Sequence, residues 1–229
     1  MPPLPLTVKR SILRLAGSAP ESLSRQLRRT CDLIDTGRWL HQNSLYPPPA
    51  SFDIKWGLFD LIARHMQDKV VLYLEFGVFE GNSIRYWSTL LQNPGSMLHG
   101  FDSFEGLPET WRDDFPKGHF AVGDQLPQFS DPRIRLFKGW FHETLPLYTM
   151  PPHEELVINI DCDLYSSTSF VLNHFREAMP IGTSIYFDEF GDWDHESRAF
   201  RDFLGETKMK FELIGESSAG WSMAFRRVG

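Results

Sequence analysis

The sequence predicts a three-layer α/β sandwich of the doubly wound type, built on a mostly parallel seven-stranded sheet. Three observations carry that expectation. From residue 70 onward, short apolar runs alternate with helix-length segments of mixed polarity, the signature of βα units. Several runs are almost continuously apolar, such as Val-Val-Leu-Tyr-Leu-Glu-Phe at 70–76, as strands buried on both faces of a parallel sheet must be. Two β-type runs, 210–214 and 221–226, follow one another with no room for a helix, so they pair antiparallel at one edge.

In chain order, residues 1–50 read as a helical extension with proline punctuation. Pro2, Pro3 and Pro5 start it, and Pro47-Pro48-Pro49 ends it in an extended linker. Between them Leu23, Leu27, Cys31 and Leu33-Ile34 recur at helical spacing. The main domain is expected over 51–229. Phe52, Trp56, Phe59, Ile62 and Met66 mark an amphipathic helix that could cover a sheet edge, close a site or form a dimer contact. Strands follow at 70–76, 97–101, 134–137, 156–160 and 184–187, with helices at 83–91, 164–179 and 196–204. The segment 103–132, rich in Pro, Gly, Asp and Phe, is long enough to be a functional lid.

Composition narrows the function. With 41% apolar and 14% aromatic residues, the 229-residue chain can fill a core. A formal net charge of -7 argues against a general nucleic-acid binder, which needs a basic face. The basic residues Lys9, Arg10, Arg14, Arg25, Arg28 and Arg29 nevertheless crowd the first thirty positions against the single acid Glu21. Cys31 and Cys162 are the only cysteines. Cys162 lies between two carboxylates at a strand end, a poor place for a disulfide, so a reducing, cytoplasmic setting is expected. No apolar stretch approaches a membrane span, and the N-terminus lacks a secretory apolar core.

Two acidic clusters end apolar runs: Ile158-Asn159-Ile160-Asp161-Cys162-Asp163 and Ile185-Tyr186-Phe187-Asp188-Glu189. In an open α/β sheet the carboxyl ends of the strands are where ligands bind. Carboxylates gathered there repel one another, and a hard cation such as Mg²⁺ is the usual compensation. The bland alternative is a set of solvated acids at helix starts. The first strand runs into Leu74-Glu75-Phe76-Gly77-Val78-Phe79-Glu80-Gly81-Asn82-Ser83. Gly77 and Gly81 allow a tight turn and close approach to a ligand, with a helix N-terminus behind them. The loop is not the dinucleotide G-x-G-x-x-G, because Glu75 stands at the first glycine. An acid there suits a cationic ligand, and Asp102, ending the second strand, suits ribose hydroxyls. Together they suggest S-adenosylmethionine rather than NAD.

From residue 70 on, the sequence resembles the class I S-adenosylmethionine-dependent methyltransferases, and most of all the macrocin O-methyltransferase family of metal-dependent sugar O-methyltransferases. The matching runs are Glu75-Phe-Gly-Val-Phe-Glu-Gly-Asn-Ser83, Phe101-Asp-Ser-Phe-Glu-Gly-Leu-Pro-Glu109, Lys138-Gly-Trp-Phe-His-Glu-Thr-Leu-Pro146, Asp161-Cys-Asp-Leu-Tyr-Ser-Ser-Thr168 and Phe187-Asp-Glu189. The Glu75 loop is also similar to that of catechol O-methyltransferase. The resemblance implies a Rossmann-like fold, with Glu75, Gly77, Gly81 and Ser83 around the cofactor's methionine part. It puts Asp102 and Ser103 at the ribose, and Trp140, Phe141 and His142 at the adenine. Asp161, Asp188 and Glu189 would hold Mg²⁺, with Asp161 also beside the cofactor. Two departures stand out: Asp188-Glu189 replaces the family's paired aspartates, and Leu164 occupies the spacing of the catechol enzyme's lysine base.

The expected chemistry is displacement of a methyl group from a sulfonium by an acceptor hydroxyl, with Asp161 or Asp163 taking its proton and His195 as the alternative base. The acceptor is expected to be a small hydroxylated sugar or natural product, with neither nucleic acid nor membrane as a partner. The N-terminal helices leave a homo-oligomer open. Competing readings are a catechol or phenolic acceptor, a nicotinamide-dependent oxidoreductase, and a binding protein that keeps the fold without catalysis. His142 and His195 read first as surface or packing histidines, Tyr165, Ser166 and Thr168 first as helix-capping residues with substrate contact second, and Phe104, Trp111, Phe115 and Phe120 as a lid or a loop anchor. Trp193 is a candidate for stacking on a sugar.

Overall fold

The structure, a computed structural model, describes residues 4–17, 19–123 and 125–229. Pro2 and Pro3, expected to open the first helix, lie outside them. The elements in order are α1 (Leu6–Ala16), α2 (Glu21–Gln42), β1 (Ser51–Phe52), α3 (Lys55–Ala63), β2 (Val71–Phe76), α4 (Asn82–Leu90), β3 (Met97–Asp102), β4 (Ile134–Lys138), α5 (Phe141–Thr144), β5 (Glu155–Ile160), α6 (Tyr165–Phe175), β6 (Ser184–Phe187), α7 (Glu196–Thr207), β7 (Phe211–Ser217) and β8 (Ser222–Arg227). Helix α6 stops four residues short of its expected end, where the chain tightens into a 3-10 turn over Arg176–Ala178.

The sheet order is β1-β7-β8-β6-β5-β2-β3-β4. As expected, β7 and β8 run antiparallel, and β8 also pairs antiparallel with β6, while the other pairs are parallel. The sheet has eight strands where seven were expected. The extra strand is β1, which pairs Ser51 with Glu216 and Phe52 with Ser217 at the far edge. Two residues carry no readable period, so only the partner strand reveals them.

The alternation of side chains along each strand divides the core. Leu72, Leu74 and Phe76 of β2 face α6 and α7, where Phe175, Phe200 and Phe203 are buried. Val71 and Tyr73 face the opposite way, onto Leu58, Phe59 and Ile62 of α3 and Trp87 of α4. Trp87 is fully buried, with its ring 4.9 Å from that of Tyr73. The last turns of α2 join the first layer: Leu40 is buried, and Trp39 lies against Phe190 and Phe225 at 5.8 and 6.3 Å. The rest of α2 and all of α1 expose their apolar residues, Leu23 and Leu27 among them.

Strand β2 pairs with both β3 and β5. The chain therefore runs outward through β3 and β4, then returns to β5 on β2's other side. That reversal opens a crevice at the carboxyl ends of β2 and β5, the ligand-binding position of open α/β sheets.

A buried histidine gives the fold a pH dependence. His99 on β3 shares a hydrogen bond of 2.7 Å between its Nδ1 and the Tyr148 hydroxyl. Burial, then nearby Arg135, lowers its pKa to about 4. Between that value and the ordinary histidine value the unfolded chain binds more protons, so the contribution is complete above the window and is lost as pH falls through it. At most about 3 kcal/mol is involved. Urea unfolding of wild type and His99→Gln from pH 7 to 4 checks this: the gap between them should narrow on acidification. The comparison cancels the acidic groups common to both.

Candidate functional site

The crevice opens into a cavity of about 1320 Å³, and its floor is the turn after β2. Gly77 has φ +92°, and a Cβ there would stand 1.8 Å from the Asp161 carbonyl oxygen. Only glycine lets the two strand ends come this close. The Gly77 N–H donates to Phe101 O at 3.0 Å and the Asp161 N–H to Phe76 O at 2.9 Å, so three strand ends are tied at one point.

Glu75 is buried beneath this floor rather than lining the cavity. It accepts hydrogen bonds from the Tyr73 hydroxyl and, at 3.3 Å, from Asn159 Nδ2. Burial raises its pKa to about 7 even though both donors and Lys55 pull it down. Gly81 has φ +77° and backs onto the Phe129 ring, also outside the lining. Its turn is needed to start α4, on which Ser83 does line the cavity. The Asp102 carboxylate accepts three backbone N–H groups: Val78 at 2.7 Å, Phe79 at 2.8 Å and Phe104 at 2.7 Å. It therefore shapes the loops on both sides of the cavity. Ser103 closes its own turn by accepting from Glu105 N–H at 3.1 Å. Trp140, Phe141 and His142 form another wall, anchored where the Phe141 ring meets Phe76 edge-on at 5.6 Å.

At the cavity's other end stand Asp161, Asp163, Asp188 and Glu189. Burial first, and then the Asp188 carboxylate, raises the pKa of Asp161 well above the usual carboxylate range, that of Asp163 to about 7 and that of Glu189 to about 8. Glu189 Oε2 is buried without a hydrogen-bond partner. Asp163 takes a left-handed backbone conformation, φ +63°, which turns the chain sharply into α6.

Two residues of this end were missed in the sequence. Lys55, at the start of α3, places Nζ 3.1 Å from Asp188 Oδ1 and 3.5 Å from Asp161 Oδ2. Burial disfavours its charge, but the two aspartates outweigh that and raise its pKa above the lysine value. Its one signal is a cation at the very start of the apolar helix run of 55–63. Glu196, fully buried at the start of α7, accepts from the N–H groups of Cys162 (3.3 Å), Asp163 (3.2 Å) and Glu189 (2.9 Å). It staples the two acidic loops together, reaching the first from more than thirty residues away in sequence, and no local pattern announces it.

His195 lies next to Glu196 but does not line the cavity. Its Nδ1 accepts from the Tyr165 N–H at 3.3 Å, and burial lowers its pKa. Trp193 also lies outside, under the Arg201 guanidinium at 3.2 Å. Residues 103–120 fold over the opening. Leu107 and Trp111 are buried with Leu164, and Phe115 and Phe120 pack against them. Arg112 pairs with Asp192 at 2.5 Å and lies over the Trp111 ring.

A profile of the family described as Macrocin-O-methyltransferase (TylF) matches residues 58–226. Among curated proteins the chain is similar to 8-demethyl-8-(2,3-dimethoxy-alpha-L-rhamnosyl)-tetracenomycin-C 4'-O-methyltransferase of Streptomyces olivaceus. The two are 28% identical over 137 residues, which is 51% of this chain and 52% of that protein. Demethyldecarbamoylnovobiocin O-methyltransferase of Streptomyces niveus is 25% identical over 132 residues, 50% of this chain and 48% of that one. The chain thus spans about half the length of these curated relatives. Among solved structures, the calicheamicin methyltransferase CalS11 matches with a TM-score of 0.62 at 24% identity, over 91% of this chain and 93% of that chain. The O-methyltransferase NovP matches with a TM-score of 0.62 at 18% identity, over 76% and 80%. At these identities the structural likeness speaks for the fold.

Proposed function

The chain belongs to the macrocin O-methyltransferase family, and from that premise we propose that it moves a methyl group from S-adenosylmethionine to a hydroxyl of a sugar or glycosylated natural product, with Mg²⁺ at Asp161, Asp188 and Glu189. The observation that carries the reading is one continuous cavity lined by Gly77, Asp102 and Trp140 as well as by the four carboxylates. Cofactor and acceptor can then share a single chamber. The names of the two Streptomyces relatives, one of them a sugar 4'-O-methyltransferase, support such an acceptor. The aromatic lid keeps a phenolic acceptor as the second reading. Membership of a methyltransferase family argues against the nicotinamide-dependent alternative.

The donor set suits a hard cation: all its atoms are carboxylate oxygens, and the partnerless Glu189 Oε2 is short of one positive neighbour. Among the described residues, though, no three His, Cys, Asp or Glu side chains stand ready to hold a metal. The Lys55 ammonium lies between two of the proposed ligands. When bound, S-adenosylmethionine supplies an electrophilic methyl group, and Mg²⁺ a Lewis acid that acidifies a hydroxyl. The chain's residues do the rest. The turn at Gly77 offers backbone at close range, and Asp102, with three of its roughly four acceptor sites taken by backbone N–H groups, keeps about one for a ribose hydroxyl. Trp140 and Phe141 offer apolar faces to a flat base. Asp163 Oδ accepts the proton of the acceptor hydroxyl. Trp111, Phe115 and Phe120 exclude water and hold the acceptor in line, and such positioning supplies much of the rate.

Titration calorimetry with S-adenosylhomocysteine, with and without Mg²⁺, tests the reading. Micromolar cofactor binding is expected, with a separate Mg²⁺ heat that Asp188→Ala removes. Absence of cofactor binding in a folded sample would overturn it.

A further inference from the structure

We propose that the Lys55 ammonium is a tethered competitor for the divalent cation: it holds Asp161 and Asp188 together, and a metal ion enters between them only as Lys55 leaves. The inference rests on the metal part of the function proposed above. Three observations support it. The first is position. Nζ lies within 3.1 and 3.5 Å of the oxygens that would have to turn toward a metal, and two cations cannot share those oxygens without strong repulsion.

The second is anchoring. The main chain at Lys55 is fixed from both sides. Upstream, β1 is hydrogen-bonded to β7; downstream, Leu58, Phe59 and Ile62 of the same helix are fully buried. The side chain itself is 27% exposed, so the four-carbon stem can swing out while its root stays in place. The third is the local charge. Lys55 is the cation paired with these aspartates, whereas the neighbouring Arg112 is engaged by Asp192. Asp163 and Glu189 are left with no ion-pair partner among the described residues. The cluster therefore has charge to spare for a metal but has the lysine in its central gap.

Mn²⁺ is the probe, added to the full chain saturated with S-adenosylhomocysteine, with binding read by calorimetry and by the electron paramagnetic resonance signal of free Mn²⁺. Lys55→Met removes the charge and keeps much of the stem, and it is expected to bind Mn²⁺ at least about tenfold more tightly than wild type. Lys55→Arg keeps a cation and should stay near wild type. Adding Asp188→Asn to Lys55→Met should remove the gain. Lys55→Gln repeats the test should the methionine variant fail to fold. Measurable binding that is equal or weaker in the variant overturns the competitor role and leaves the metal site standing. No Mn²⁺ binding in either protein removes the metal reading and the competitor with it.

Discussion

Replacement of Asp163 by asparagine is expected to slow methyl transfer by about 10²–10⁴-fold, the usual contribution of a positioned proton acceptor. S-Adenosylhomocysteine affinity should stay within a few-fold of wild type. The substitution is nearly isosteric, and asparagine is among the few residues that tolerate the left-handed backbone found at this position, φ +63°. The backbone bond from the residue 163 N–H to Glu196 is untouched. Fold and cofactor wall should therefore survive while the carboxylate is lost. Single-turnover kinetics alongside calorimetry separate the two effects. A variant that keeps more than about a tenth of the wild-type rate would move the proton acceptor elsewhere, with Asp161 next in line.

The second large effect is expected of Gly77→Ala. The added carbon would meet backbone, the Asp161 carbonyl at 1.8 Å, which no rotamer change can relieve. Strands β2 and β5 would have to separate where they form the cavity floor. Overpacking together with a left-handed alanine amounts to about 2–5 kcal/mol of lost stability. Urea unfolding should show that loss, and cofactor binding should vanish with it. A wild-type midpoint with intact binding would contradict the close approach of these strand ends.

Much of this architecture is legible in the sequence because burial on both faces leaves strands continuously apolar. The β2, β5 and β6 runs are visible for that reason, and their ends at Glu75, Asp161 and Asp188 are visible with them. What stays hidden is what depends on distant partners. The β1 strand exists only through β7, and Glu196 matters because α7 starts beneath the Glu189 loop just before it and the Cys162–Asp163 loop more than thirty residues earlier. Sequence reasoning offers His195, a residue with familiar chemistry, as an alternative base and passes over its neighbour, whose carboxyl group holds three amides. Gly81 and Glu75 were read as touching ligand; the structure places the first against Phe129 and the second under the floor. A glycine-rich turn announces close approach, but not of which atoms. Asp102 was legible by position, whereas its grip on the backbone of two loops needed coordinates.

The Glu196 staple has a consequence for how such a protein can diversify. The jaws that present the acidic groups are clamped from below by a helix that never faces the opening. The lid above them, led by Leu107, Trp111 and Arg112, is seated on Leu164 and Asp192, beside those same jaws. New acceptors can then be accommodated by changing the lid residues that face the opening, while its seats on Leu164 and Asp192 and the Glu196 staple are kept.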